Sequence, residues 1–204
     1  MHLDLDTFFV SCERLVNSSL DRIPLIIGGG DRGVVSSCSY EARTFGVRSA
    51  MPMKMALRLC PQAKVVKGDM ELYSKMSHMV TEVIEESAPV MEKASIDEFY
   101  LDLTGMDRFF GAYKWTNELG AKIEKETGLP ISYALSTNKT VSKIGTGESK
   151  PHGHREIPSF GVQSFLNPLS IRKMPMVGNA TFQLFSMTNL SIANLHLKFS
   201  LSYR

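Results

Sequence analysis

The first residues, HLDLDTFFV, open with apolar and acidic side chains in alternation, the period of two expected of a half-buried β-strand. PLIIGG and GVVSSC predict two more strands, joined by the glycine-rich GGGDRG as a flexible hairpin loop. YEARTFG and MKMALRLCP predict short helices, each closed by Gly or Pro. In DMELYSKMSHMVTEVIEESAP, Leu72, Met76, Met79, Val80, Val83 and Ile84 share one helical face. Asp69 is the expected N-cap there and Pro89 the expected stop. VMEKAS and FYLDL predict two strands, followed by a helix from about Met106 to Thr127, with Gly128 and then Pro130 beyond it. ISYALS predicts a further strand, and NKTVSKIGTGESK a helix ending before Pro151. The glycines of GTGESK lower helix propensity by up to about 1 kcal/mol each, so this helix is expected to stop early or fray. From Pro158 onward the pattern is one of short helices and turns.

With residues 8–68 set aside, the order is strand, helix, strand, strand, helix, strand. This is the split β-α-β, ferredoxin-like motif of an α+β domain, a sheet with two helices on one face. Residues 8–68 then form an inserted subdomain.

Within this pattern SIDE, residues 95–98, stands out. Asp97 and Glu98 are adjacent in an apolar run, where neighbouring strand side chains point to opposite faces. A buried unpaired charge costs several kcal/mol. A tight connection between VMEKAS and FYLDL lets both carboxylates point to one place at the sheet end. In the ferredoxin-like order the first strand lies beside this hairpin, so Asp4 or Asp6 can meet them. Converging carboxylates suit Mg²⁺, an ion that prefers oxygen ligands. A pair of such ions can clamp the two oxygens of a phosphoryl transfer. Acids at a solvated turn are the plainer alternative.

The composition sets few limits. Of 204 residues, 43% are hydrophobic and 22% charged, as in ordinary soluble globular proteins. No apolar run approaches the roughly 20 residues of a membrane helix. Cys12, Cys38 and Cys60 match no zinc or disulfide spacing, so reduced thiols and a cytoplasmic setting are expected. A net charge of +2 permits nucleic-acid binding without arguing for it. GGGDRG and GTGESK both lack the P-loop pattern.

HLDLDTFFVSCE, SYEARTFGVRSAMP, ASIDEFYLDLT, STNKTVSKIGTGESKPHG and IRKMPMVGN occur in that order. Together they resemble the Y-family translesion DNA polymerases, in the bacterial DNA polymerase IV (impB/mucB/samB) branch. The likeness runs from residue 1 to about 185. It implies a palm of residues 1–7 and 69–157, fingers of 8–68, and a partial helical thumb of 158–204. It also implies template-directed nucleotidyl transfer from a dNTP to the 3′-hydroxyl of primer–template DNA, with two Mg²⁺ ions for which Mn²⁺ can substitute. By motif, Asp4, Asp97 and Glu98 are the implied catalytic, metal-binding acids, with the backbone carbonyl of Leu5 as a further ligand. Asp6 is read as structural. Phe9 matches the steric gate against a ribose 2′-hydroxyl, and Phe8 is assigned to the core. Tyr40, Arg43 and Lys150 match the residues that reach the triphosphate. Ser36, Ser37 and Ala42 are the small residues expected to leave room around the nascent base pair.

MPMVGN resembles the hairpin of a helix-hairpin-helix that meets a DNA phosphate, implying DNA contacts at Gly178 and Lys173 near Arg172. Met176 stands there where the pattern commonly has glycine. The resemblance further implies a C-terminal little finger, absent from this chain, through which a sliding clamp would bind. Weak binding of nucleotide and poor primer extension are therefore expected of the chain.

Three other readings compete. A haloacid-dehalogenase-type phosphatase needs D-x-D-x-T/V, but Phe8 stands two after Asp6. A palm-type nucleotidyl cyclase shares the two-metal logic but gives no reason for SYEAR. A non-catalytic DNA- or partner-binding module is the reading from a different class.

Overall fold

The structure, a computed structural model, describes residues 1–30, 33–88, 90–106 and 111–187, with the backbone alone for 184–187. In chain order the elements begin with β1 (His2–Leu5), α1 (Phe8–Val16), β2 (Leu25–Gly28), β3 (Val35–Cys38), α2 (Tyr40–Thr44), α3 (Met53–Leu59) and β4 (Lys64–Val66). They continue with α4 (Met70–Ser87), β5 (Met91–Lys93), β6 (Glu98–Leu101), α5 (Ala112–Thr127), β7 (Ile131–Ser136), α6 (Lys139–Ser149), β8 (His154–Ile157), α7 (Val162–Leu166) and α8 (Asn179–Met187).

The main sheet has the order β5-β6-β1-β7-β8. Its first four strands are antiparallel neighbours and reproduce the ferredoxin-like arrangement. β8 adds itself parallel to β7, with α6 as the crossover between them. The period of two along β1 divides the sheet into two faces. Leu3 and Leu5 enter the main core with Phe99, Leu101, Ile131, Tyr133 and residues of α4 and α5. His2 and Asp4 face the other way, toward α6, where the His2 ring meets the Thr146 hydroxyl at 3.0 Å.

Several expectations need correction. The helix predicted from Met106 begins, among the described residues, at Ala112, with residues 107–110 outside them. Its end at Gly128 is as expected, since that residue takes a left-handed φ of 71°. Pro89, the expected stop of α4, and Asp31 and Arg32 of GGGDRG also lie outside the described residues. Asp69 does cap α4, accepting from the Glu71 and Leu72 amides. The fully buried face of α4 is Tyr73, Ser77, Val80, Thr81, Val83 and Ile84, and Met79 sits at its half-exposed margin.

The helix expected to fray at GTGESK instead runs to Ser149. Gly145 is there for packing: a Cβ on it would stand 2.8 Å from the Ala134 Cβ and 2.6 Å from the Ile157 Cδ1. The close approach of α6 to β7 and β8 outweighs the propensity loss. Gly145→Val is expected to destabilise the chain by about 2–3 kcal/mol through overpacking, read from the denaturant midpoint.

Three elements were not foreseen: α1, β4 and β8. Between β1 and α1 the chain turns at Thr7, a left-handed residue with φ 43° and no side-chain cap, so the usual start signal is missing. β2 pairs antiparallel with β3 and parallel with β4. Leu25 and Ile27 join the main core, whereas Ile26 joins a second core with Val35, Cys38, Ala42, Val47, Met53, Ala56 and Cys60. Burial on both faces explains the unbroken apolar run there. All three cysteines are buried free thiols.

Candidate active site at the end of the first strand

Register sets the site. Asp4 lies opposite Glu98 on one side and Ser132 on the other. The amide of Leu5 donates to the carbonyl of Asp97 at 3.0 Å, which holds the β5–β6 connection against the end of β1. Glu98 is the first residue of β6, and Asp97 is the last of the connection. The Asp97 carboxylate accepts from the Ser95 hydroxyl at 2.6 Å and is turned outward.

α6 presents Lys139, Lys143 and Thr146 at spacings of four and three along one helical stripe, which its C-cap residue Lys150 extends. Lys143 is bidentate on Glu98, at 2.6 and 2.7 Å, and Lys150 pairs with Asp4. Lys139 meets Glu92 on β5. The stripe therefore lies along the polar face of the sheet and supplies its counter-charge.

Burial raises the Asp4 carboxyl to about 7. Lys150 opposes that rise, while Asp97 and Glu98 add to it. Burial also pushes Glu98 up and Lys143 down, but their mutual ion pair outweighs both, so Glu98 falls and Lys143 rises. His2 is lowered to about 4, mainly by burial, against the pull of Glu98 and with the push of Lys143 and Lys150. A histidine depressed in the fold is neutral there while the unfolded chain takes up a proton near its ordinary value. Stability from this group is complete above pH 6.5 and lost as pH falls toward 4, by up to about 3 kcal/mol. The difference in unfolding free energy between wild type and His2→Gln, measured at pH 7.5 and pH 5, reads that contribution.

Elements within residues 8–68 reach the same end of the sheet. Ser39 caps α2, accepting from the Ala42 amide. Arg14 of α1 holds Glu41 at 3.0 Å and so ties α2 down. Tyr40 and Arg43 share a face, with the guanidinium carbon 5.0 Å from the ring centre. The Tyr40 hydroxyl donates to Asp6 at 3.3 Å, and burial first, then the Asp6 charge, raises that phenol. Ala42 is fully buried in the second core and Ser37 is also buried, so of the three small residues only Ser36 is exposed.

Phe8 is buried, as expected, and Phe9 is half-buried. The Phe9 ring stacks on Tyr73, with centroids 4.3 Å apart and planes 14° apart. Tyr73 in turn donates to the buried Glu13 at 2.6 Å. Lys143, Tyr73 and Glu13 were missed in the sequence. The four-residue spacing from Lys139 to Lys143 was an available signal, whereas nothing local marked Tyr73 or Glu13.

Around MPMVGN, Met176 has φ 68° and is 98% exposed. That left-handed backbone is the physical reason glycine suits the position. Lys173 is engaged with Glu148 of α6 at 2.7 Å, and Arg172 lies over the Phe182 ring. Nothing would crowd a Cβ on Gly178 within 4 Å. This segment meets α6 through the Lys173–Glu148 pair.

Among the described residues, no three acidic, imidazole or thiol groups stand close enough together to hold a metal ion as they are. The shared-ion geometry expected of Asp4, Asp97 and Glu98 is thus not formed among the described residues, where Asp97 is bonded to Ser95, Glu98 to Lys143 and Asp4 to Lys150. The donor chemistry still fits a hard cation. Two carboxyl groups face each other across β1 and β6, one of them forced up by burial, and a third adjoins them. Positive charge is what this group lacks, and two lysines now supply it. Among the described residues no helix is long and apolar enough to cross a membrane.

The impB/mucB/samB family model matches residues 3–147. The chain is similar to DNA polymerase IV of Dehalococcoides mccartyi strain CBDB1, with 39% identity over 186 residues, 90% of this chain and 48% of that protein. It is also similar to DNA polymerase IV of Caulobacter vibrioides, with 41% identity over 182 residues, 88% of this chain and 45% of that protein. The chain thus spans about half the length of these relatives. Among solved structures, DinB from Sulfolobus solfataricus superposes with a TM-score of 0.87 at 29% identity, covering 93% of this chain and 57% of that one. The insertion ternary complex of Dbh DNA polymerase gives 0.87 at 28% identity with the same coverage.

Proposed function

Since the chain belongs to the impB/mucB/samB family, we propose that it carries the nucleotidyl-transfer centre of a translesion DNA polymerase. Its substrates would be a dNTP and primer–template DNA. The carrying observation is the convergence of Asp4, Glu98, Lys150 and the Tyr40 hydroxyl, brought from four separate elements to the end of β1.

Asp4, Glu98, Asp97 and the Leu5 carbonyl would hold divalent ions, Mg²⁺ or in its place Mn²⁺, with Asp97 turning in from Ser95. The ions, when bound, supply the positive charge that acidifies a primer hydroxyl and neutralises leaving phosphates. The chain's own side chains position the substrates. Tyr40, Arg43 and Lys150 are placed to take triphosphate oxygens, a guanidinium fork and an ammonium being suited to them. Phe9, backed by Tyr73, offers a flat ring against the sugar. Lys143 keeps Glu98 ionised and oriented. Gly178 and Lys173 are the proposed contacts to a DNA phosphate, with Lys173 first released from Glu148. The proposed division is a palm of 1–7 and 69–157, fingers of 8–68 and a thumb from 158.

Calorimetric titration of the chain with dGTP in Mg²⁺ tests the reading. Binding in the micromolar to millimolar range, abolished by EDTA and by Asp4→Asn, is expected. Absence of binding at millimolar dGTP, or binding indifferent to metal, overturns it. A cyclase is separated by incubating one NTP without DNA, which should leave the nucleotide unchanged.

A further inference from the structure

Asp6 was read from the sequence as merely structural, and the fold makes it more than that. Its side chain is 2% exposed, yet it meets donors from α2, β7 and the segment after α6. The two oxygens are used differently. Oδ2 accepts from the Ser132 hydroxyl at 2.8 Å, an ordinary length, and from the His152 amide at 2.5 Å, a short one. Oδ1 has the Tyr40 hydroxyl at 3.3 Å and the Lys150 ammonium at 3.8 Å, both long. The backbone around it is equally constrained: the Asp6 amide donates to Pro130 and its carbonyl accepts from Ser11. Thr7 and His152, next to this carboxylate and its anchor, hold left-handed φ of 43° and 47°. Such conformations are strained and persist where surrounding contacts over-determine them.

We infer that Asp6 is a positioning residue of the triphosphate pocket: Oδ2 anchors the carboxylate, and Oδ1 holds the Tyr40 hydroxyl beside the Lys150 ammonium, itself paired with Asp4, at one point that a phosphate oxygen takes over. This rests on the reading that Tyr40 and Lys150 hold the triphosphate. The physical basis is preorganisation. A fingers phenol and a palm ammonium would otherwise have to be ordered when nucleotide binds, and long contacts to Oδ1 are easily exchanged for a phosphate. Asparagine cannot substitute. Its oxygen is needed by Ser132 and His152, which leaves an NH₂ group facing a hydroxyl and an ammonium.

The test is a double-mutant cycle on dGTP–Mg²⁺ affinity of the full chain, read by calorimetry. Asp6→Asn is expected to weaken binding about tenfold and Tyr40→Phe about fivefold, with Tyr40→Phe costing less than about twofold in the Asp6→Asn background. Thermal melts establish that each variant folds. Where Asp6→Asn does not fold, Ser132→Ala replaces it, loosening Oδ2 while keeping the charge, and the cost of Tyr40→Phe should shrink in that background too. Wild-type affinity in Asp6→Asn, or an equal cost of Tyr40→Phe in both backgrounds, overturns the inference. If Tyr40→Phe and Lys150→Met weaken binding while Asp6→Asn does not, the proposed function stands and this inference alone falls. If the wild-type chain binds no dGTP, both fall.

Discussion

Asp4→Asn and Glu98→Gln are each expected to lower single-nucleotide incorporation at least about 10³-fold under enzyme excess. The scale follows from removing the groups that hold charge at the reacting atoms, where each 1.36 kcal/mol of barrier is tenfold in rate. The two substitutions are nearly isosteric and therefore isolate charge from shape. Their effects on the fold should differ in sign. Asp4 is partly buried and held well above the ordinary carboxylate range, so replacing it by a neutral amide removes an ionisation that opposes folding near neutral pH. Glu98 is lowered by its bond to Lys143, so its neutralisation leaves that ammonium without its partner and should cost about 1–2 kcal/mol. A double variant, Glu98→Gln with Lys143→Met, should recover stability but not incorporation. Incorporation within tenfold of wild type in Asp4→Asn would remove that residue from the chemistry.

Phe9→Ala is expected to raise the incorporation of ribonucleotides relative to deoxynucleotides by about 10²-fold, the scale on which a pocket rejects one added hydroxyl by shape. The argument is steric and depends on the ring being unable to retreat. Phe9 stacks on Tyr73, and Tyr73 is locked by its bond to the buried Glu13. The support behind Phe9 is thus rigid and lies in the main core, where Tyr73 and Phe8 also pack. The ratio of kcat/KM for the ribonucleotide and deoxynucleotide measures the effect, and Phe9→Leu should fall between Ala and wild type. An unchanged ratio in Phe9→Ala would assign the ring to packing alone.

The elements that were legible along the chain carry their own local signals. Asp69 caps α4 from the position its residue type suggests, and Gly128 closes α5 in the conformation only glycine adopts cheaply. The β5–β6 hairpin could be placed because strand residues flank a short polar connection. Where local signals are absent, reading fails. α1 starts from an uncapped, left-handed Thr7, and β4 and β8 are strands of three and four residues without alternation. Gly145 looks like a helix breaker in isolation and acts as a packing surface in the fold.

The acids of the site were visible as residue types out of keeping with an apolar run, and SIDE with HLDLD sufficed to nominate them. Periodicity and caps are set by neighbours within a few residues, so the chain alone settled the longer elements such as α4, α5 and β7 and the apolar face of α4, but not α1, β4 or β8. Only the tertiary structure decided that Asp4 stands between Glu98 and Ser132, that Lys143 and Lys150 neutralise the acids, that Asp97 bonds to Ser95, and that Asp6 joins Tyr40 to Ser132 of β7. Those relations depend on strand register and helix placement between residues as many as 146 positions apart. Such placement follows from the packing of the whole core, which no local spacing encodes.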